Sequence, residues 1–217
     1  EGRAGGRVFI RHPNGVESAG EVVEITPPRK IVFTYGFVSG QPMPPGASRV
    51  SIRLDAHERG TELHLVHEFA EPAARDEHVQ GWRYQLAVFG NVVADEANAG
   101  AAAKVDGWFE AWSAKTDAAC EEGMARIAAP GVRFRDRFSL VDGMADLLPH
   151  LAAARRFMPG LRLVRAGDVR HCQGTVLADW VALAADGQEK GRGTNVFVLD
   201  PDGRIQSVTG FWGPPGR

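Results

Sequence analysis

A chain of 217 residues suits one large domain or two of about 100 residues each. With 44% hydrophobic and 24% charged residues, a formal charge of -2 and a pI near 6.4, it offers no basic field to phosphate backbones or anionic lipid, which argues against nucleic acid and membrane partners. No run approaches the ~20 apolar residues that span a bilayer, the opening Glu1–Gly6 does not read as a signal peptide, and two cysteines without metal-ligand spacing, Cys120 and Cys172, fit a reduced cytoplasm.

Residues 7–12 alternate, Val8, Ile10 and His12 against Phe9 and Arg11, and run into His-Pro-Asn-Gly, a hairpin signal. A second strand over 20–26 ends at Pro27-Pro28. In a third, Ile31, Phe33, Tyr35 and Phe37 share one face. The prolines of 39–46 remove ladder donors and predict a loop. Val50, Ile52, Leu54 and Ala56 then alternate with Ser51, Arg53, Asp55 and His57, Gly60 turns the chain, and Leu63, Leu65, His67 and Phe69 form the inner face of a fifth strand. After Pro72 the period changes. Val79, Trp82, Leu86, Phe89 and Val93 recur at 3-4-3-4 spacing, which predicts the packing face of a helix of about five turns, with Gly81 letting it lie close to the sheet.

The motifs Gly5-Gly6, Gly20-Glu-Val-Val-Glu-Ile-Thr-Pro-Pro-Arg-Lys-Ile-Val-Phe-Thr-Tyr, Gly60-Thr-Glu-Leu-His-Leu-Val-His and His78-Val-Gln-Gly-Trp resemble the bacterial relatives of the heat-shock-protein-90 ATPase activator, a branch of the START/SRPBCC helix-grip superfamily. The resemblance covers most of residues 1–97. It implies an antiparallel sheet with a long closing helix. Such relatives begin with one more strand and two short helices before the Gly-Gly, so this domain is expected to be N-terminally incomplete, as a fragment or with one wall of its cavity missing.

Ala-Asn-Ala-Gly-Ala-Ala-Ala-Lys near residue 100 reads as a linker over 98–104. Beyond it, Val105, Trp108, Phe109 and Trp112 mark one helical face, and Asp117 is a candidate N-cap for a second helix ending at Ala129-Pro130-Gly131. Val132, Phe134, Asp136 and Phe138 alternate with Arg133, Arg135 and Arg137 in a strand. A third helix over 142–157 is expected to bend near Pro149 and stop at Pro159-Gly160. Four strands follow near 161–171, 175–185, 191–200 and 203–212, separated by Gly174, Asp186-Gly187 and residues 200–203. Phe157-Met-Pro-Gly, Ala178-Asp-Trp, Gly193-Thr-Asn-Val-Phe and Asp202-Gly-Arg-Ile-Gln-Ser-Val-Thr-Gly-Phe-Trp resemble the SnoaL-like branch of the nuclear transport factor 2-like fold. The chain therefore reads as α+β in two domains: a truncated helix-grip domain over 1–97, and over 105–217 a cone of three helices on a curved antiparallel sheet. The second resemblance also implies a homodimer through its sheets.

Asp136 leads the candidate residues. Regular alternation would turn its carboxylate inward with Val132, Phe134 and Phe138, where desolvation raises a pKa and equips a general acid or base, given ~300 Å³ of open space beside it. The plainer readings are pairing with an arginine from another element, or a bulge that turns the side chain out to solvent. His150 is a second acid–base candidate. Trp108, Trp112, Phe134, Phe157, Trp180, Phe197 and Trp212 are expected to line a pocket for a flat apolar guest, or else to be core or dimer-interface residues. Asn195 stands where relatives often carry an acid; an amide can only orient a ligand carbonyl or hydroxyl, and the plainer reading is a satisfied buried amide. Asp168 and His171, three apart on a strand, face opposite sides and make no tight dyad without a bulge. In the first half, His67, Phe69 and Trp82 mark an inner pocket, although a lone histidine on a core face is more often hydrogen-bonded structure. His78 is expected to be exposed. Nucleophile-elbow, zincin and phosphate-loop motifs are missing, and no metal or organic cofactor is implied. The function expected is binding of a small hydrophobic or aromatic molecule, chiefly in the second domain. The alternatives are a cofactor-free isomerase, cyclase or hydrolase acting through Asp136, and a chaperone-associated interaction protein.

Overall fold

The computed structural model describes residues 1–58 and 60–213, and in it the period-two stretches of the first half pair in chain order. β1 (Arg7–Arg11), β2 (Glu17–Thr26), β3 (Lys30–Phe37), β4 (Ser48–His57) and β5 (Gly60–Glu68) form an antiparallel meander, and α1 (Pro72–Ala97) follows. Asn14 Oδ1 accepts the Val16 N–H at 3.1 Å in the first hairpin. The loop after β3 folds back so closely that a Cβ on Gly36 would stand 1.9 Å from Pro44 O. That approach seats Met43 in a core with Phe33, Tyr35 and Val50, against which Ile31, Phe37, Ile52, Phe69 and Trp82 pack.

The chain divides into two units, Glu1–Ala87 and Val88–Arg217. The helix expected after Pro72 is present, but its apolar stripe is not buried. No residue of α1 is buried; Phe89 is 52% exposed, and Val79, Leu86 and Val93 are exposed as well. A Cβ on Gly81 would meet open space, so this glycine serves no close approach. Periodicity states what a helix can bury, and in the first unit the aromatic side chains of β3 and β5 meet it at His78 and Trp82.

The second unit contains α2 (Ala101–Trp112), α3 (Asp117–Ile127), β6 (Ala128–Arg135), β7 (Leu140–Asp142), α4 (Met144–Phe157), β8 (Arg162–Cys172), β9 (Thr175–Leu183), β10 (Glu189–Leu199) and β11 (Ile205–Trp212). Its sheet runs β7-β6-β11-β10-β9-β8, antiparallel except for the parallel β11–β6 pair. The segment read as a linker is helical from Ala101, because Ala101 and Val105 are buried and draw the first turn onto the core. Thr116, not Asp117, caps α3: its Oγ1 accepts the Ala119 N–H at 3.2 Å, and Asp117 occupies the first turn. β6 begins directly at Ala128, so Pro130 and Gly131 lie in a strand. α4 continues through Pro149 as one helix.

Trp108, Phe109, Met124, Leu147, Leu151, Phe197 and Ile205 fill the second core, each almost wholly buried and each contributing about 1.5–3 kcal/mol of transfer free energy. Two polar ties hold α2 over β8. Ser113 Oγ donates to Phe109 O at 2.8 Å and accepts the Leu163 N–H at 2.9 Å. Asp106 accepts from Arg165 Nε and Nη2 at 2.7 and 3.1 Å. Among the described residues, no helix is long and apolar enough to cross a membrane.

Candidate functional site

At Arg135 the ladder of β6 stops. Asp136 N donates to Ser139 O at 3.0 Å and Asp136 Oδ1 accepts the Phe138 N–H at 2.8 Å, so the chain turns back into β7. The turn breaks the alternation. Phe138, expected to face inward with Asp136, is 71% exposed and meets Trp212 edge-on at 5.5 Å. Asp136 Oδ2 accepts the Trp212 indole N–H at 3.1 Å. The carboxylate is thus half-buried and held by two N–H donors, not dry and inward as the alternation implied. No arginine among the described residues forms an ion pair with it.

Asp136 borders a cavity in the second unit. Its sheet wall carries Phe134, Leu163, Trp180, Asn195, Gly210 and Trp212, and its helical wall carries Trp108 and Trp112 of α2 with Ala154 and Arg155 of α4. Met158 and Leu161 complete it. A Cβ on Gly210 would stand 3.2 Å from Asn195 Oδ1 and 3.3 Å from Asp136 Cβ, so the glycine keeps the space between these two polar groups open. The cavity volume is about 70 Å³, well below the expected ~300 Å³. Indoles consume the difference: Trp180 and Trp212 pack edge to face at 5.0 Å, and Trp112 meets Phe134 at 5.3 Å.

The polar groups at this cavity differ in how they are satisfied. Asn195, 6% exposed, accepts the Trp180 indole N–H on Oδ1 at 2.9 Å, which orients the amide with Nδ2 as its remaining donor. Arg155 Nη2 donates to Asp117 Oδ1. Trp112 Nε1 and Arg155 Nη1 are buried and have no partner among the described residues.

Two residues expected at the pocket lie elsewhere. Phe197 is fully buried against Trp108 and Phe109, inside the core. Phe157, at the last residue of α4, is 86% exposed, and its neighbour Met158 occupies the cavity instead. His150 stands beside the cavity. Its ring lies 5.9 Å from Trp112 and from Phe134, and its Nε2 is 3.3 Å from Ser139 Oγ. His171 does not pair with Asp168, which is exposed. The Gly174 N–H donates to His171 Nε2 at 3.0 Å, so Nδ1 carries the proton and donates to Asp95 Oδ1 at 2.8 Å. Arg155, Met158, Leu161, Leu163 and Gly210 were not readable as site residues. Arg155 looks like an ordinary basic residue in a last helical turn.

In the first unit, His67 joins a hydrogen-bonded relay. The Trp82 indole N–H donates to His67 Nδ1 at 2.9 Å, and Ser48 Oγ, which donates to Tyr35 O at 2.9 Å, accepts from His67 Nε2 at 2.8 Å. Burial, and then the neighbouring His78, lower the His67 pKa from 6.5 to about 4. His67, Phe69 and Trp82 pack on one another, with the His67 and Phe69 rings 3.8 Å apart. His78 is half-buried rather than exposed. It lies within 6 Å of Tyr35, Phe37, His67 and Phe69, its Nδ1 donates to Ala74 O at 2.7 Å, and its buried Nε2 has no partner among the described residues. An open depression of about 260 Å³ lies elsewhere on this sheet, bordered by Ile25, Ile31, Ile52, Leu54 and the Pro27-Pro28 turn. Among the described residues, no three His, Cys, Asp or Glu side chains are grouped to hold a metal ion.

A mixed sheet with three helices around an apolar cavity gives the second unit a nuclear transport factor 2-like fold, as its motifs implied. A SnoaL-like family protein from Agrobacterium tumefaciens, provisionally named an isomerase, is 25% identical over 52% of this chain and 96% of its own, with a TM-score of 0.50. A Sinorhizobium meliloti protein provisionally named a polyketide cyclase is 19% identical over 50% of this chain and 93% of its own, TM-score 0.41. An NTF2-like protein of unknown function from Exiguobacterium sp. 255-15 is 17% identical over 51% and 98%, TM-score 0.43. Residues 1–94 match the family described as activator of Hsp90 ATPase homolog 1-like protein, in agreement with the motifs of the first half. No curated protein matches the chain.

Proposed function

We propose that the second unit binds a small hydrophobic or aromatic molecule between its helices and its sheet. The observation that carries this reading is the convergence of Asp136, Asn195 and Arg155 on a cavity walled by Trp108, Trp112, Phe134, Trp180 and Trp212. Apolar walls supply affinity, and a few polar groups set orientation. A one-ring guest needs more than 70 Å³, so entry requires side-chain movement at the more exposed members of the wall, Met158 and Trp212. Native mass spectrometry of protein from the producing cell tests the reading directly. A retained or added aromatic guest is expected, and protein that carries none and shows no tryptophan-fluorescence change with hydroxylated aromatics refutes it. The same spectrum tests a homodimer through the second-unit sheet, which the exposed Val164 on β8 and Phe211 on β11 favour.

The position of the Asp136 carboxylate at the cavity favours a second reading, cofactor-free proton transfer of the isomerase or cyclase kind. Asn195 takes no proton, so Asp136 would act as the acid–base group. Asp136→Asn keeps one acceptor oxygen for one of the two N–H donors, Phe138 and Trp212, and turns its amide NH₂ toward the other. It should retain the fold while lowering any turnover by 100-fold or more, in the ~10²–10⁴ range of general acid–base catalysis. Unchanged turnover in this variant removes the enzymatic reading.

A further inference from the structure

A buried donor without a partner costs roughly 1–3 kcal/mol, and more when it is charged. The second unit holds two of them at one cavity, Trp112 Nε1 and Arg155 Nη1. Neither group can accept a hydrogen bond, so what completes them is an acceptor oxygen. Both come from the helical wall, from the last residue of α2 and the last turn of α4. Across the cavity, the sheet wall presents the opposite chemistry. Each Asp136 oxygen accepts one N–H, and a guest hydroxyl can donate to Oδ2 beside the Trp212 N–H or in its place.

Charge narrows the class further. The Arg155 guanidinium is already paired with Asp117 and lies against the Cys120 thiol, while Asp136 faces the cavity without a cationic partner among the described residues. An anionic guest would add a second negative charge beside Asp136. A neutral carbonyl meets the helical donors without that repulsion. The indole walls between the two polar ends suit a flat ring.

Resting on the binding reading above, we infer that the guest is a neutral hydroxyaryl ketone or aldehyde, its carbonyl oxygen accepting from Trp112 and Arg155 and its hydroxyl donating to Asp136. Titration calorimetry of the full chain with para-hydroxyacetophenone, acetophenone and para-ethylphenol at neutral pH tests this. The hydroxyketone should bind at least about 10-fold more tightly than para-ethylphenol, which lacks the acceptor, and than acetophenone, which lacks the donor. Trp112→Phe removes the N–H and keeps a ring. It should reduce the ketone's advantage over para-ethylphenol to within about 3-fold, and this ratio is read whatever the smaller ring does to the phenol's own affinity. Arg155→Met reads the second donor in the same way and stands in if Trp112→Phe fails to fold. Equal binding of all three probes refutes this inference and leaves the binding reading intact. Retention of the full ketone preference in both variants refutes it as well, and assigns the two donors to bound water. Failure of every probe to bind the unaltered protein overturns both.

Discussion

Lowering the pH from 7 to 5 should weaken the first unit through His67. Its ring is neutral in the fold because Nδ1 accepts the Trp82 indole N–H and Nε2 donates to Ser48 Oγ; a proton on Nδ1 would set two N–H groups against each other. Burial and then His78 lower its pKa to about 4 from the 6.5 of an unfolded chain. Between those values the unfolded chain binds a proton that the folded one refuses. The stabilisation is therefore complete above pH 6.5, declines as the pH falls and is lost below about 4. The gap corresponds to roughly 3 kcal/mol, but the ring is only half-buried, and solvent screening reduces this to about 1–2 kcal/mol, of which about 1 kcal/mol is lost by pH 5. The groups facing His67 are His78, the neutral Tyr35, Phe69 and Trp82 rings, and Ser48. Four of the five tryptophans, all but Trp82, lie in the second unit, so fluorescence reports the wrong region. Hydrogen exchange of β3–β5 peptides by mass spectrometry, with an NMR titration of the His67 ring, isolates the effect. Titration of His67 near 6.5, or an equally steep loss of protection in His67→Gln, refutes the reasoning.

Three further substitutions test packing and backbone. Trp82→Phe deletes the indole donor, should cost about 0.5–1.5 kcal/mol, and should raise the His67 titration midpoint because Nδ1 becomes free; an unmoved midpoint in the same NMR titration counts against the relay. Phe197→Ala empties a fully buried site beside Trp108 and Phe109 and should destabilise the second unit by about 3–5 kcal/mol in a urea melt, whereas a loss below about 1 kcal/mol would place Phe197 outside the core. Gly193→Ala would set a Cβ 2.1 Å from Phe211 O and 2.6 Å from Trp180 Cζ2, so β10 and β11 must part there. A loss above about 2 kcal/mol is expected by calorimetry, and an unchanged melting temperature would mean the strands are not that close.

The strands of the first half were legible because alternation at Val50–Ala56 and Leu63–Phe69 is a direct consequence of the pleat, and Gly60, paired with His57 at the start of β5, marks the break between them. The α1 stripe revealed a helix but not its exposure, since burial depends on a partner surface that the helical segment does not encode. Asp136 shows a different limit. Its direction follows from parity only while the ladder lasts, and the ladder ends at Arg135 because β7 pairs back on β6. β7 spans three residues, too few for any periodic signal. Arg155 depends on contacts between distant parts of the chain: its ion-pair partner Asp117 lies 38 residues away, at the start of another helix. Asn195 was readable, because Gly193-Thr-Asn-Val-Phe sets its parity with Phe197, yet only the structure shows that Trp180 already holds its carbonyl.

The small cavity and its polar chemistry have one origin. The two indoles that fill the space are those tethered by polar side chains, Trp180 by Asn195 and Trp212 by Asp136. Trp180 is 4% exposed, and displacing its ring would leave its buried N–H and the buried Asn195 carbonyl unpaired. Trp212 is 37% exposed, and once displaced its N–H can turn to water. A guest hydroxyl that takes the place of Trp212 on Oδ2 of Asp136 exchanges one hydrogen bond for another at little net cost, so the burial of the guest's ring remains as the driving term. On the proposed reading, Trp212 is therefore the movable wall and Trp180 the fixed one. The guest that fits is one able to compete for the carboxylate, because that competition is what creates the room it needs.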